Sequence, residues 1–243
     1  MTMGIEISRY KNIVILTGAG ISVASGLRTY RGAGGVWDEH NVEEYGHIDR
    51  LKDAPSKLWE LFGPLRLSVS NAEPNRAHYA LAQIENKLRT DQNFLLITQN
   101  VDGLHQKSGS KNVVELHGNI SKTFCSNDQC DLTPFDDNEV YAEAHPICSK
   151  CGSPLRPSIV LFGEAIPPKE SWLAKRALRD CDLFIAIGTS GTVSPASNFV
   201  RSAEYAGART IYINVEAMEP PNPAFQETYL GKAEELLPDL FQV

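Results

Sequence analysis

The sequence predicts an α/β protein in which a doubly wound parallel sheet carries a smaller lobe. Six short apolar runs lack polar alternation, as do strands that are buried on both faces of a parallel sheet. Helix-like segments separate several of these runs, and strands that alternate with helices favour this architecture. Two stretches, 31–77 and 121–156, interrupt the rhythm and are assigned to the lobe.

Each predicted strand is followed by a polar turn. The strands lie within 12–20, 94–100, 112–118, 158–164, 182–190 and 210–216. Helices are predicted at 78–88 and 195–207, where apolar residues recur at helical spacing, and Gly207 would end the second. We therefore expect a large domain from 1–30, 78–120 and 157–243, and a small domain from 31–77 and 121–156.

Composition and charge exclude some classes of function. The chain has 243 residues, a formal net charge of −7 and no block of lysine and arginine, which argues against electrostatic binding to nucleic acid. The sequence has no apolar run long enough to span a membrane and no secretion-signal pattern at the N-terminus, so we expect a cytoplasmic protein. The sequence predicts no oligomeric state.

Polar residues follow the carboxyl ends of several predicted strands. Gln99, Asn100 and Asp102 come directly after the second strand, and His117 closes the third. Asn and Asp after one strand are usually turn formers. Because carboxyl ends of parallel strands meet at one edge, several such clusters together predict a ligand site. A lone histidine after a strand usually has a structural role, with its hydrogen bonds made to the protein. The polar strand ends around His117 make it a candidate general base instead.

The glycine-rich stretch 18–26 resembles a turn that cradles a phosphate. Its glycines would let the backbone approach a pyrophosphate at the start of a helix. Val23 replaces a glycine of the dinucleotide fingerprint, and no acidic residue follows at the usual distance. Alone, the stretch is equally compatible with a tight connection that binds nothing.

Four cysteines have the spacing of a structural zinc site. Cys125 and Cys130 form C-x4-C, Cys148 and Cys151 form C-x2-C, and two such pairs can hold Zn²⁺ tetrahedrally. Four thiolates fill the coordination shell, so this metal would activate no water. The surrounding stretch is poor in apolar residues, and metal binding would supply much of its folding energy. Cys181 is interpreted as a buried apolar residue.

Together these stretches resemble the sirtuin family. "GAGISVASGLRTYRG", "TQNVDGLH", "ELHG", the cysteine pairs, "LFGE", "IGTS" and "INVE" occur in the family's order and spacing from Asn12 to the C-terminus. The resemblance is closest to the bacterial class that includes desuccinylases. It implies a Rossmann-like NAD-binding domain with a zinc module. It also implies an NAD-dependent protein-lysine deacylase that releases nicotinamide and O-acyl-ADP-ribose, acting on acylated-lysine proteins or peptides.

The resemblance also assigns roles to residues. His117, Asn100 and Asp102 would be catalytic, with His117 as the general base, and Gln99 would contact the nicotinamide ribose. The other residues expected to bind NAD are Gly18, Ala19, Gly20, Ser22, Gly26, Tyr30, Arg31, Trp37, Val101, Gly188, Thr189, Ser190, Asn214, Val215, Glu216 and Ala233. Substrate residues would be Phe62, Leu65, Val160, Phe162, Gly163 and Glu164, the last three pairing with the peptide by strand addition.

One departure from the resemblance concerns the acyl group. Desuccinylase-type relatives carry Tyr-x-x-Arg where this chain has Phe62 and Leu65, which cannot pair with a carboxylate. Arg66 comes one residue late, about 100° around a helix, although Gly63 and Pro64 could break that helix. We therefore expect deacetylation.

Desuccinylation, long-chain deacylation, ADP-ribosyl transfer and NAD hydrolysis stay open. A nicotinamide-dependent oxidoreductase would leave the zinc lobe and His117 without a role, and the intact set of His117, Asn100 and Asp102 counts against a non-catalytic NAD sensor.

Overall fold

The computed structural model describes residues 4–29, 42–141 and 144–243. Tyr30, Arg31 and Trp37, expected to bind NAD, lie outside the described residues. The strands are β1 Asn12–Thr17, β2 Asn93–Thr98, β3 Val113–Glu115, β4 Gly118–Cys125, β5 Phe135–Asp136, β6 Leu155–Ile159, β7 Leu183–Ile187, β8 Arg209–Asn214 and β9 Glu227–Leu230. The α-helices are α1 Val42–Tyr45, α2 Arg50–Asp53, α3 Pro55–Asn71, α4 Arg76–Asn86, α5 Leu104–Lys107, α6 Pro168–Arg179, α7 Phe199–Tyr205 and α8 Ala233–Phe241. Short 3-10 helices span Ile7–Arg9, Ala19–Ser25 and Ala196–Asn198.

The main sheet is parallel and has the strand order β3-β2-β1-β7-β8-β9. Along β1, Ile13 and Ile15 pack into one apolar cluster with α4 and α8. Val14 and Leu16, which point to the opposite face, pack into a second cluster with α6 and α7. Helices therefore cover both faces, which explains why the strands lack alternation and confirms the predicted doubly wound α/β fold.

The smaller lobe combines an antiparallel sheet with the inserted helices. Its strand order is β5-β4-β6, and β4 carries a register shift between Asn119 and Thr123. Helix α3 packs against β4 and β6. The apolar cluster between them contains Leu58, Phe62 and Ile159. This lobe agrees with the predicted architecture, whereas the exact domain boundaries stay a prediction.

The prediction of a main-sheet strand within 158–164 is wrong. The strand there, β6, ends at Ile159 and pairs antiparallel with β4 in the lobe. The stretch is apolar because Ile159 and Leu161 are buried in the lobe's cluster, not because it crosses the main sheet. The sixth strand of the main sheet is instead β9, which the sequence analysis did not predict.

Helix α3 runs without interruption through Gly63 and Pro64. Pro64 is exposed, so its ring lies on the solvent side and its missing N–H costs one hydrogen bond at the surface. The two other predicted helices are confirmed as α4 and, after a 3-10 turn, α7, and Gly207 follows α7 with a φ of 84°. Within the described residues, no helix combines the length and apolarity that crossing a membrane requires.

Candidate active site

A cleft of about 1440 Å³ opens at the carboxyl ends of the parallel strands, between the main sheet and the lobe. Its floor lies where the strand order reverses, between β1 and β7, which is the usual ligand position in such sheets. The predicted residues that line it from the main-sheet side are Gly18, Ala19, Gly20, Gln99, Asn100, Val101, His117, Gly188, Thr189, Ser190, Asn214, Val215, Glu216 and Ala233. Those from the lobe side are Phe62, Val160, Phe162, Gly163 and Glu164.

Among the described residues predicted to bind NAD or substrate or to act in catalysis, four do not line the cleft. Ser22 and Asp102 lie behind its wall, bonded to each other. Gly26 ends the 3-10 helix Ala19–Ser25 with a φ of 85°. Leu65 is half-buried against the lobe's apolar cluster. The structure therefore brings Phe62, but not Leu65, to the cleft.

Two glycine turns meet backbone to backbone at the cleft floor. Gly20 donates its N–H to the carbonyl of Gly188 at 2.9 Å. A Cβ on Gly20 would lie 2.7 Å from the Cα of Gly188, and Gly188 itself has a φ of 60°. The glycines are thus required by the close approach of two chain segments, before any ligand is considered. The resulting floor presents backbone instead of side chains to a ligand.

Asn100 is the buried amide next to this floor, 3% exposed. Its Nδ2 donates to the carbonyl of Gly18 and to Ser22 Oγ, both at 3.2 Å. Its Oδ1 is buried and has no hydrogen-bond partner among the described residues. Buried polar atoms are nearly always paired, so this acceptor fits a ligand N–H, as in a carboxamide.

Asp102 accepts a hydrogen bond from the hydroxyl group of Ser22, which in turn accepts one from Asn100. Ser22 donates to Asp102 Oδ2 at 2.7 Å, and the backbone N–H of Leu104 donates to Asp102 Oδ1 at 3.0 Å. Burial raises the pKa of Asp102, and these hydrogen bonds oppose the rise. The carboxyl group is thus fixed from two sides and acts on the cleft through Ser22 and Asn100.

His78 completes this network, and the sequence analysis missed it. Its Nδ1 accepts the N–H of Asn75 at 3.2 Å, so the ring hydrogen sits on Nε2, 3.4 Å from Ser22 Oγ. Burial lowers the pKa of His78 to about 4, so the ring is neutral at pH 7. The available signal was the Asn-x-x-His capping box that begins α4.

His117 has the geometry of a general base. Its Nδ1 lies 2.9 Å from the carbonyl oxygen of Gln99, which can only accept a hydrogen bond. The proton therefore sits on Nδ1, and Nε2 is the nitrogen that can take up another. Burial lowers the pKa of His117, and the bond to Gln99 partly opposes this. The imidazole is neutral at pH 7, as a base requires.

On the lobe side, the segment 160–164 is partly paired already. Phe162 donates its N–H to Gly46 and accepts from Ile48, each at 2.9 Å. Glu164 receives two hydrogen bonds from Arg156, at 2.6 and 2.7 Å, and Arg156 is 3% exposed. The side chain of Glu164 and the backbone groups of Phe162 thus already have hydrogen-bond partners within the protein, which fix the conformation of this segment. Strand addition by a peptide would use the neighbouring backbone groups.

The four predicted metal ligands converge. Their Sγ atoms all lie within 4.8 Å of one another, with Cys125 3.4 Å from Cys151 and Cys130 3.7 Å from Cys148. Thiolates at the vertices of a tetrahedron around Zn²⁺ lie roughly 3.8 Å apart, given a Zn–S bond of about 2.3 Å. The cluster therefore fits a structural zinc ion. Cys181 is buried in the main core, as predicted.

Comparison with known proteins agrees with this geometry. The family model described as "Sir2 family" matches residues 18–195. The chain is 42% identical over 205 residues to an NAD-dependent protein deacylase of Aquifex aeolicus, covering 84% of each chain. It is 38% identical to an NAD-dependent protein deacylase of Escherichia coli K12, covering 95% of this chain and 81% of that one.

Solved structures extend the agreement to the fold. A Sir2 homologue in complex with ADP-ribose matches with a TM-score of 0.89 and 36% identity, covering 97% of this chain and 92% of that one. A Sir2 homolog–NAD complex matches with a TM-score of 0.87 and 36% identity, covering 97% and 90%. The chain belongs to the Sir2 family, as its resemblance to sirtuins predicted.

Proposed function

We propose that this chain is an NAD-dependent protein-lysine deacylase that transfers the acyl group of a modified lysine to ADP-ribose and releases nicotinamide. The observation that carries the proposal is the shared cleft of His117 and Asn100. A neutral imidazole with a free Nε2 and a buried, unpartnered amide oxygen line it together, beside the glycine turns. Relatives at about 40% identity named NAD-dependent protein deacylase support the same activity.

NAD⁺ fits the main-sheet side of the cleft. The backbone of Gly18, Gly20 and Gly188 lines the cleft where a pyrophosphate would lie, and Asn214, Val215, Glu216 and Ala233 line the cleft for the adenosine half. Asn100 Oδ1 would accept the carboxamide N–H, with Ser22, Asp102 and His78 fixing its orientation. When bound, NAD⁺ supplies nicotinamide as leaving group and ADP-ribose as acyl acceptor.

His117 is the proposed general base in this arrangement. The carbonyl of Gln99 fixes the tautomer, so Nε2 can take a proton from a ribose hydroxyl. Gln99 itself lines the cleft next to that position and would hold the ribose. The lobe forms the opposite wall of the cleft, and a peptide bound along it would limit the access of water, which would otherwise hydrolyse NAD⁺.

The lobe side would bind the acylated lysine. Val160, Phe162, Gly163 and Glu164 line the cleft there, and the peptide would add as an extended strand beside them. A Sir2 structure with a deacetylated peptide and 3'-O-acetyl ADP-ribose matches this chain with a TM-score of 0.87 and 29% identity. It supports peptide or protein substrates for this chain as well.

The proposed acyl group is acetyl or another neutral group. The apolar residues Val42, Ile159 and Leu161 also line the cleft, and Ile159 and Leu161 belong to the same apolar cluster as Phe62. Arg66, the nearest arginine in the helix, is 1% exposed and points away to β4, so it offers no partner to a carboxylate. Burying an unpaired carboxylate costs several kcal/mol, which disfavours succinyl-lysine.

The four-cysteine cluster is proposed to hold one structural Zn²⁺ ion. When bound, the zinc ion ties β4 to the loops that carry Cys130, Cys148 and Cys151. It contributes folding energy to the lobe and takes no part in acyl transfer.

One experiment separates this activity from its alternatives. The protein is incubated with NAD⁺ and with acetyl-, succinyl- and long-chain acyl-lysine forms of one peptide, and products are identified by mass spectrometry. We expect nicotinamide, deacylated peptide and O-acetyl-ADP-ribose in equal amounts. NADH would indicate an oxidoreductase. Nicotinamide without deacylated peptide would indicate NAD hydrolysis or ADP-ribosyl transfer, and no product at all would indicate a binding module.

A further inference from the structure

Phe62 is the apolar wall of the cleft that comes from α3. It is 9% exposed, lines the cleft and packs into the lobe's apolar cluster. Three residues before it lies Trp59, and four residues after it lies Arg66. At helical spacing all three lie on the same side of α3, with Phe62 between the other two. Neither Trp59 nor Arg66 lines the cleft.

Arg66 anchors this side of α3 to the sheet of the lobe. Its Nε donates to the carbonyl of Ile120 at 2.9 Å, and its Nη2 donates to the carbonyl of Lys122 at 3.2 Å and to Thr123 Oγ1 at 3.0 Å. Its Nη1 donates to the carbonyl of Glu139 at 3.1 Å. A buried guanidinium whose nitrogens all donate in a fixed fork cannot rotate without losing several bonds at once.

Asp137 balances the buried charge. Its Oδ2 lies 3.3 Å from Arg66 Nη1, and the side chains of the two residues are 5% and 1% exposed. Thr123 and Tyr141 donate to the same oxygen at 2.7 and 3.2 Å. The pKa of Asp137 is held below its ordinary value because these bonds and the Arg66 charge outweigh the effect of burial. Removing one partner would leave an uncompensated charge in the lobe.

Trp59 provides the second anchor. Its Nε1 donates to the carbonyl of Leu155 at 3.0 Å, which ties α3 to β6. Its ring lies edge-on to Tyr141, with centroids 4.7 Å apart, and the Arg66 guanidinium lies 4.7 Å from its centroid. The two anchors therefore contact each other as well as the sheet, and together they fix the turns of α3 on either side of Phe62.

We propose that Arg66 and Trp59 are positioning residues that fix the depth of Phe62 in the acyl pocket, so that the preference for short acyl groups depends on two side chains that never touch the substrate. This inference rests on the proposed deacylase function. With the anchors intact, Phe62 keeps its position in the lining of the cleft and leaves less room beside it for a long acyl chain. With an anchor loosened, Phe62 withdraws, contacts with acetyl weaken, and longer chains gain room.

The test uses the zinc-loaded, full-length protein and the acetyl- and octanoyl-lysine forms of one peptide. Arg66→Lys keeps the charge but loses the fork. We expect the acetyl-to-octanoyl ratio of kcat/KM to fall at least about fivefold, mainly through KM for the acetyl peptide. Arg201→Lys, a change of an exposed arginine on α7, is the matched control and should leave the ratio unchanged.

A double-mutant cycle separates positioning from general loss of structure. Phe62→Leu alone should lower the same ratio. If Arg66 acts through Phe62, adding Arg66→Lys to Phe62→Leu changes the ratio no further, because coupled residues are not additive. An unchanged ratio in Arg66→Lys, or a full further shift in the Phe62→Leu background, overturns the proposal.

A second variant covers the case in which Arg66→Lys does not fold. Thr123→Val removes one acceptor of Arg66 and one donor to Asp137 with little change in shape, and Thr228→Val on the exposed face of β9 is its control. The acetyl-to-octanoyl ratio of kcat/KM should fall in Thr123→Val and stay unchanged in Thr228→Val. Nicotinamide release by the unmodified protein keeps the two failures apart, because its absence contradicts the proposed function and not the positioning of Phe62.

Discussion

The two walls of the cleft are built by different means. The main-sheet wall consists of strand ends, so Gln99, Asn100 and Gly188 are placed by the same backbone ladder that forms the core. The lobe wall joins segments far apart in sequence, and side chains hold it: the Arg66 fork, Trp59 and four cysteines. The strands of the main sheet position the site residues of the first wall directly. The positions of the site residues on the second wall depend on a few buried polar contacts and on the cysteines.

The largest effect should come from the main-sheet wall. We predict that His117→Ala keeps NAD⁺ binding but loses deacylation by about 10²-fold or more, the usual scale for a general base. Steady-state kinetics and NAD⁺ titration measure the two quantities. His145→Ala, which removes a lobe histidine bonded to Ser56 outside the cleft, should cost far less. Unchanged turnover in His117→Ala would remove this residue from the mechanism.

Metal removal should damage the lobe wall and spare the main sheet. We predict about one Zn²⁺ per chain by elemental analysis, and Cys125→Ser should lose metal and at least about tenfold in activity because the lobe loses folding energy. The Cys181→Ser variant, a matched change in the main core, keeps all four predicted ligands and should bind as much zinc as the unmodified protein. Less than half an equivalent of zinc in carefully purified protein would contradict the structural site.

The acyl preference tests the lobe wall more finely. We predict that acetyl-lysine is preferred over succinyl-lysine by at least about 10-fold in kcat/KM, which corresponds to about 1.4 kcal/mol. The reason is that Phe62 and its apolar neighbours offer no partner for a carboxylate, and Arg66 is fully engaged elsewhere. Kinetics on one peptide in both forms measure the ratio. A preference for succinyl would mean that another cation reaches the pocket.

The effect that is smallest at neutral pH concerns the support of the main-sheet wall, and it appears as a loss of stability below pH 6.5. The folded chain keeps His78 neutral down to about pH 4, whereas the unfolded chain binds this proton below about pH 6.5. Above pH 6.5 the buried His78 therefore costs no stability through protonation. As the pH falls from 6.5 toward 4, the free energy of unfolding declines by up to about 1.4 kcal/mol per pH unit.

Denaturant unfolding between pH 4 and 7 measures this slope. His78→Gln should make it shallower, although His105, whose pKa burial also lowers, will leave a residual slope. Thr228→Val, which changes no ionisable group, should not alter the slope. An identical slope in His78→Gln would contradict the assignment.

The contrast between the walls also explains what the sequence could predict. Strand ends of the main sheet were recognisable because non-alternating apolar runs end in polar residues, and all the predicted residues in 99–101 and 188–190 line the cleft. The four cysteines were recognisable from spacing alone. Both signals are local, so a single sequence carries them.

The misinterpretations fall where contacts are long-range. The stretch 158–164 has the composition of a main-sheet strand, but its pairing partner β4 is decided by the antiparallel sheet of the lobe. Leu65 was expected to contact substrate, but it lies in a helix that Trp59 and Arg66 bond to the strands of the lobe, and it does not line the cleft. The acceptors of Arg66 are mostly backbone carbonyls more than fifty residues away, which no residue type reveals.

The contact between Gly20 and Gly188 has a consequence for altering this protein. Because the two turns touch through their backbones, neither glycine can be exchanged for a larger residue unless the other turn moves. Changes that leave this contact intact can be made on the opposite side of the cleft, where Phe62, Val42 and Leu161 offer side chains to exchange. Libraries aimed at a different acyl group should therefore leave the glycine turns untouched and vary the inserted helices.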